Sequence, residues 1–229
     1  MVLAIGGAAW SYFQRGGFMM VPLLLCSILA LVYIIERMIT YYRIKGTTAD
    51  IFSSVREALL KGDFRQSLEV CESYTHPVAS TLKSGLLRYG KSHDEIEKAM
   101  ESVALHEVSK LEKGLWILAT VANVAPLLGF LGTVSGMIAS FEALAEVGLG
   151  NPQAVAGGIS EALITTATGL AIAFPVQTFY NYFTNKVSVL GLDMETSSSM
   201  LLETFNEIEE RDREEGQAKV EEEPQGTVG

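Results

Sequence analysis

Three stretches without a single charged side chain do most to restrict what this chain can fold into: Phe18–Ile35, Gly114–Phe141 and Ala162–Asn185. A helix rises about 1.5 Å per residue and needs roughly 20 apolar residues to cross the hydrocarbon core of a bilayer. Each stretch is near or above that length. Burying three such helices in a soluble core would take far more polar chain than 229 residues with 19% charged side chains contain. The expectation is an all-α membrane protein with three transmembrane helices, in which long helices extend into a cytoplasmic helical region. Its divisions are a periplasmic or interfacial N-terminus (1–17), a first span (18–45), a cytoplasmic helical region (46–113) and a second span (114–144). A periplasmic loop (145–153), a third span (154–186) and a cytoplasmic C-terminal helix with an acidic tail (187–229) follow.

Charge sets the orientation. Of the 17 Lys and Arg residues, only Arg15 falls on the side that holds the N-terminus and the second loop. Arg37, Arg43 and Lys45 follow the first span, Lys110 and Lys113 precede the second, and Lys186 follows the third. The positive-inside rule therefore predicts an N-terminus on the outer side and a cytoplasmic C-terminus. Trp10, Tyr12 and Phe13 are expected at headgroup depth. The first residues lack the cationic start and A-x-A site of a cleavable leader, so the first span is expected to double as an anchor. The net charge of −10 does not point to nucleic acid, and much of it sits in the acidic, aromatic-poor end of the chain. Cys26 and Cys71 fall in different environments and predict no disulfide framework.

The polar region reads as helical throughout. Ile51, Val55 and Leu59 recur at i, i+4 and i+8 until Gly62 breaks the pattern. "DFRQSLEVCESYTHP" predicts a second short helix ended by Pro77. Ser92 and Glu95 stand at capping-box spacing, with Ile96, Met100, Val103 and Leu111 on one face beyond them. Only Gly114 separates that helix from the second apolar run, so one continuous helix is expected to enter the second span. His76 beside Pro77 reads as a turn residue.

The second span is apolar, yet "NVAPLLGFLGTVSGMIASF" (123–141) carries residues that suit a plain lipid-facing rod poorly. Helices in lipid associate through close packing and interhelical hydrogen bonds, because the acyl chains are already apolar. Gly132 and Gly136 form a G-x-x-x-G pair, and Gly129 with Thr133 extends the small-residue face. In the third span Glu161 lies about two turns in, where a carboxylate is costly and faces a protein interior or a wet path. Thr165 and Thr168 share its face, Thr166 lies on the adjacent flank, and Thr133 and Ser135 come from the second span. The pattern predicts a hydrated, polar-lined passage. Pro126 and Pro175 are expected to bend their helices. Past Glu161 neither span holds an Asp, Glu, His, Lys or Arg in its deep half. If protons cross, another polypeptide must supply the titrating group.

"APLLGFLGTVSGMIASF" (125–141) and "GISEALITTATGLAIAFPVQTFYNYF" (158–183) closely resemble the two pore helices of the ExbB/TolQ proton-channel family, related more distantly to MotA. "ALLKGDFRQSLEVCE", Pro77 and "SGLLRYG" resemble that family's cytoplasmic hairpin, and the similarity covers roughly residues 17–190. The resemblance implies a pentamer in a bacterial inner membrane around an ExbD/TolR-like single-span subunit whose membrane aspartate carries the proton. Thr133 and Thr166 match the family's pore threonines and Glu161 its third-span glutamate, while Thr165 stands where many relatives have a small apolar residue. Protons are then the coupling ion, with no other cofactor and no metal. Membrane lipids surround the ring, nucleic acid plays no part, and the work is delivered to a TonB- or TolA-like protein.

The competing reading is a non-conducting oligomeric scaffold that uses the small residues only for assembly. An intramembrane enzyme is rejected. The three histidines lie in the polar region without H-x-x-x-H spacing. "GTVSG" places its serine one position late for a nucleophile elbow, and "GLGNPQAVAGG" lacks a P-loop lysine.

Overall fold

The computed structural model describes residues 12–44, 46–148 and 152–222, and every element among them is an α-helix. These are α1 (Met20–Tyr42), α2 (Thr48–Leu60), α3 (Phe64–Ser73), α4 (Pro77–Leu86), α5 (His93–Glu112), α6 (Leu115–Val147) and α7 (Pro152–Glu222). Three stretches are long and apolar enough to cross a membrane: Met20–Tyr42, His93–Glu146 and Val155–Glu214. The expected fold class of three transmembrane helices with long helical extensions holds. Trp10 and the end of the acidic tail lie outside the described residues. The chain divides into an apolar unit, up to Ile39 and from Lys113 to Asn185, and a polar unit, Thr40–Glu112 and Lys186 onward.

In the apolar unit, α1, α6 and the first part of α7 bury mostly small or slender side chains, including Leu23, Ala30, Leu118, Ala125 and Ala162. The outward positions are large and apolar: Leu25, Leu31 and Val32 on α1, Phe130 and Ile138 on α6, Leu163 and Phe174 on α7. Such continuous apolar exposure is the reverse of a soluble surface and suits acyl chains. Both α6 and α7 remain helical through Pro126 and Pro175, although each proline withdraws one N–H from the ladder.

The expected continuous helix into the second span is corrected. It stops at Glu112 and restarts at Leu115, because Gly114 adopts φ 83°. Lys110 and Lys113 before a left-handed glycine form a helix stop. A Cβ at Gly114 would come within 3.0 Å of the Tyr33 ring, so the position is also sterically closed to larger residues.

The polar unit packs α2–α5 and the later part of α7 around Ile51, Val55, Leu59, Val78, Leu82, Met100, Met194, Leu201 and Phe205. The i, i+4, i+8 row of α2 is wholly buried, as expected, whereas Val103 on α5 remains half-exposed. Pro77 does not end α3. That helix finishes at Ser73, and Pro77 opens α4 as its first residue, where a missing N–H costs nothing. His76 is the cap: its Nδ1 accepts from the Val78 N–H at 3.2 Å. Asp63 likewise caps α3 by accepting from the Gln66 N–H at 2.8 Å, and Ser92 Oγ accepts from the Glu95 N–H at 3.4 Å. The Tyr41 hydroxyl donates to the Leu111 carbonyl at the end of α5. Cys26 and Cys71 are both free, and burial pushes the Cys71 thiol up to about 11.

Candidate functional site

The site lies along the contact between α6 and α7 in the apolar unit. Each helix offers a row of small residues: Ala125, Gly129, Gly132, Gly136 and Ser140 on α6, and Gly158, Ala162, Thr165 and Gly169 on α7. A Cβ added at Gly169 would stand 2.5 Å from the Ala125 carbonyl oxygen, and one at Gly136 would stand 2.6 Å from that of Gly158. At Gly129 it would come within 3.0 Å of the Thr165 carbonyl and 3.1 Å of Thr166 Cα. These are backbone atoms, so the helices have no side chain to move aside. Residue numbers rise on one helix as they fall on the other, which makes the pair antiparallel.

Thr165 belongs to this seam. It is fully buried, and a Cβ at Gly132 would lie 2.5 Å from its own Cβ. Its hydroxyl donates to the Ala162 carbonyl at 2.9 Å and to that of Glu161 at 3.2 Å. The structure thus groups Thr165 with Gly129, Gly132 and Gly136, as a knob seated in a glycine hole, and not with open polar residues. The other seam residues, Ser140 on α6 and Gly158, Ala162 and Gly169 on α7, were missed from sequence. Their three- and four-residue spacing in α7 was the available signal, complementary to the row in α6.

Most hydroxyls here bond within their own helix: Thr133 to the Phe130 carbonyl at 2.6 Å, Ser135 to Gly132 at 3.1 Å and Thr168 to Ile164 at 2.8 Å. Two reach across the seam. Thr166 donates to the Gly129 carbonyl at 3.1 Å, and Ser140 donates to that of Val155 at 3.1 Å. The Thr166 bond uses the second lone pair of a carbonyl exposed by a glycine. That gives this threonine a role unlike the usual helix-internal one.

The polar residues occupy two flanks. At 100° per residue, Thr133 and Thr166 are each displaced roughly 60–70° from their own row of small residues, in the same rotational sense. In an antiparallel pair that brings them to one side. Glu161 is displaced about as far in the opposite sense. Its half-buried side chain lies against Gly17, just before α1, and Ile164 one turn on lies against Gly16. Among the described residues the Glu161 carboxylate accepts no hydrogen bond and joins no ion pair. One chain therefore places Thr133 and Thr166 on one side of the seam and Glu161 on the other. Among the described residues no three His, Cys, Asp or Glu side chains cluster as metal ligands.

A family model described as the MotA/TolQ/ExbB proton channel family matches residues 73–196, just over half the chain and the whole of the seam. An ExbB homolog of Methanothermobacter thermautotrophicus is 32% identical over 187 residues, which are 81% of this chain and 66% of that protein. A protein named ExbB-like 1 from Synechocystis is 37% identical over 70% of this chain and 65% of its own length. The Tol-Pal system protein TolQ of Pseudomonas aeruginosa is 42% identical over 95 residues, 42% of this chain and 41% of that one. The chain thus spans slightly less than two thirds of the length of the first two of these relatives.

Proposed function

The chain belongs to the MotA/TolQ/ExbB proton channel family, and from that premise we propose that it is the channel subunit of an inner-membrane motor. With an ExbD/TolR-like single-span subunit it converts proton-motive force into mechanical work on a TonB- or TolA-like protein, serving outer-membrane transport or envelope maintenance. The reading is of a multi-pass, non-enzymatic protein with its N-terminus periplasmic, its C-terminus cytoplasmic and protons as the coupling ion.

One observation carries the proposal. Glu161 lies in the shared length of α6 and α7 beside a seam of glycines, and among the described residues its carboxylate has no partner. An unpaired carboxylate at that depth is costly unless it faces other protein or water. Because Glu161 and the Thr133–Thr166 pair sit on opposite flanks, one chain does not make a pathway. A ring of copies, proposed as a pentamer, is what lets both flanks contribute to a common interior. The partner's membrane aspartate supplies the group that titrates where this chain has only hydroxyls. Each proton crossing 100 mV releases about 2.3 kcal/mol. Neutralising and recharging the aspartate changes which face of the ring the partner helix prefers, and so moves it.

The test replaces Glu161→Gln and, separately, Thr166→Val, with expression matched and the partner co-expressed. Proton flux and energy-dependent outer-membrane transport are then measured. Large losses are expected for both. Full activity in both variants removes the pathway, and a silent Glu161→Gln with flux independent of the partner favours the oligomeric scaffold.

A further inference from the structure

The two residues that meet Glu161 and Ile164 are the glycines preceding α1. Gly17 has φ 63°, in the left-handed region that side-chain-bearing residues avoid. A Cβ built on it would fall on Glu161 Oε1, 2.6 Å from Cδ and 3.4 Å from Cγ. At Gly16 a Cβ would stand 3.3 Å from Ile164 Cγ2 and 2.5 Å from Met20 Cγ. Glu161 and Ile164 are three residues apart, so one turn of α7 is moulded against one double-glycine turn. The outer half of the glutamate side chain lies on backbone that any substituent would displace it from. This contact is independent of the α6–α7 seam, and Gly17 lies outside the residues that the family model matches.

We propose that Gly17 is a positioning residue for Glu161: the Gly16–Gly17 turn seats the carboxylate on the α1 flank and fixes where it is presented. The turn leading into the first span then contributes to the site. The consequence for transport rests on the pathway reading above, whereas the seat itself does not.

The seat is read by labelling Glu161 with dicyclohexylcarbodiimide, a reagent for protonated carboxyls in apolar surroundings, in the full chain in membranes. Modified peptides are quantified by mass spectrometry across a pH series. Wild type is compared with Gly17→Ala and with Gly62→Ala. Gly62 also has positive φ, 77°, but nothing within 4 Å of its added Cβ, so it controls for backbone strain alone. Gly17→Ala is expected to change the labelling rate at Glu161 by about threefold or more, a difference of roughly 0.65 kcal/mol in the activation barrier, and to alter its pH profile. Gly62→Ala is expected to leave both unchanged. An unaltered rate and profile in Gly17→Ala overturns the proposal. If Gly17→Ala fails to accumulate, truncating the colliding side chain in Gly17→Ala/Glu161→Ala must restore accumulation, and failure to do so overturns it equally. Full activity in both Glu161→Gln and Thr166→Val would remove the pathway and leave the labelling prediction standing, because labelling reports only where the carboxyl sits.

Discussion

The two units of this chain are held together by opposite means. The polar unit excludes water with large side chains: Leu59, Leu82, Met100, Leu201 and Phe205 are each almost fully buried. The apolar unit turns most side chains of that size outward and closes its α6–α7 contact with glycine, alanine, Ser140 and Thr165. The physical reason is the solvent. In water, removing apolar area from contact contributes roughly 25 cal/mol per Å², so bulk is useful inside. In lipid that gain is absent, and close backbone approach with interhelical hydrogen bonds takes its place. The same kind of substitution should therefore have different consequences in the two units.

Truncation should act most strongly on the polar side. Phe205→Ala removes a buried ring that stacks edge-on against Tyr89 at 4.9 Å. It should destabilise the polar helices by about 3–5 kcal/mol, read as a lowered denaturant midpoint for their unfolding in the detergent-solubilised full chain. Enlargement should act most strongly on the apolar side. Gly169→Val pushes a branched side chain onto the Ala125 carbonyl and should cost about 3 kcal/mol, with loss of folded protein from the membrane fraction. If Phe205→Ala were mild and Gly169→Val neutral, the contrast between the units would not hold.

Much of this architecture was legible in the sequence. Uncharged runs marked the spans, and the α2 row Ile51, Val55 and Leu59 marked a core face. What was not legible depended on which faces meet. Helical period put Thr165 and Glu161 near one another on a wheel, but only the position of α6 showed that Thr165 enters the Gly132 hole while Glu161 turns toward α1. Gly17 offered no sequence signal, since its meaning depends on a residue 144 positions away. The stop at Gly114 and the start at Pro77 were available from capping chemistry alone. Apolar continuity outweighed the first in the reading of the second span, and the breaking habit of proline outweighed the second.

A smaller effect separates the two kinds of hydroxyl in the seam. Thr166→Val removes the bond to the Gly129 carbonyl and should cost about 0.6 kcal/mol of stability. Thr168→Val removes only a bond within α7 and should be near neutral, because that carbonyl keeps its helical partner. Thermal melting of both variants in the same detergent measures the difference. Equal melting temperatures would mean that the Thr166 bond does not fasten the helices.

The smallest expected effect is a pH dependence in the polar unit, where His76 caps α4. Burial lowers the His76 pKa from its ordinary 6.5; Asp193 opposes the shift and Lys186 adds to it. Arg43, Glu107 and Lys110 line the same cavity beside it. A lowered folded value means that the unfolded chain takes up this proton more readily. Stability contributed by the neutral imidazole is therefore complete above 6.5 and is lost as pH falls from there towards the folded pKa. Protonation also turns Nδ1 from an acceptor into a donor facing the Val78 N–H, which removes the cap. Glu57 and Glu72, held below 4.5 by hydrogen bonds from Lys61 and Lys83, are lost only at lower pH, so the windows separate. His76→Asn keeps a capping oxygen and removes the titration. The wild-type chain should lose melting temperature as pH falls below about 6.5 while this variant stays flatter; parallel slopes would show that the cap does not titrate there.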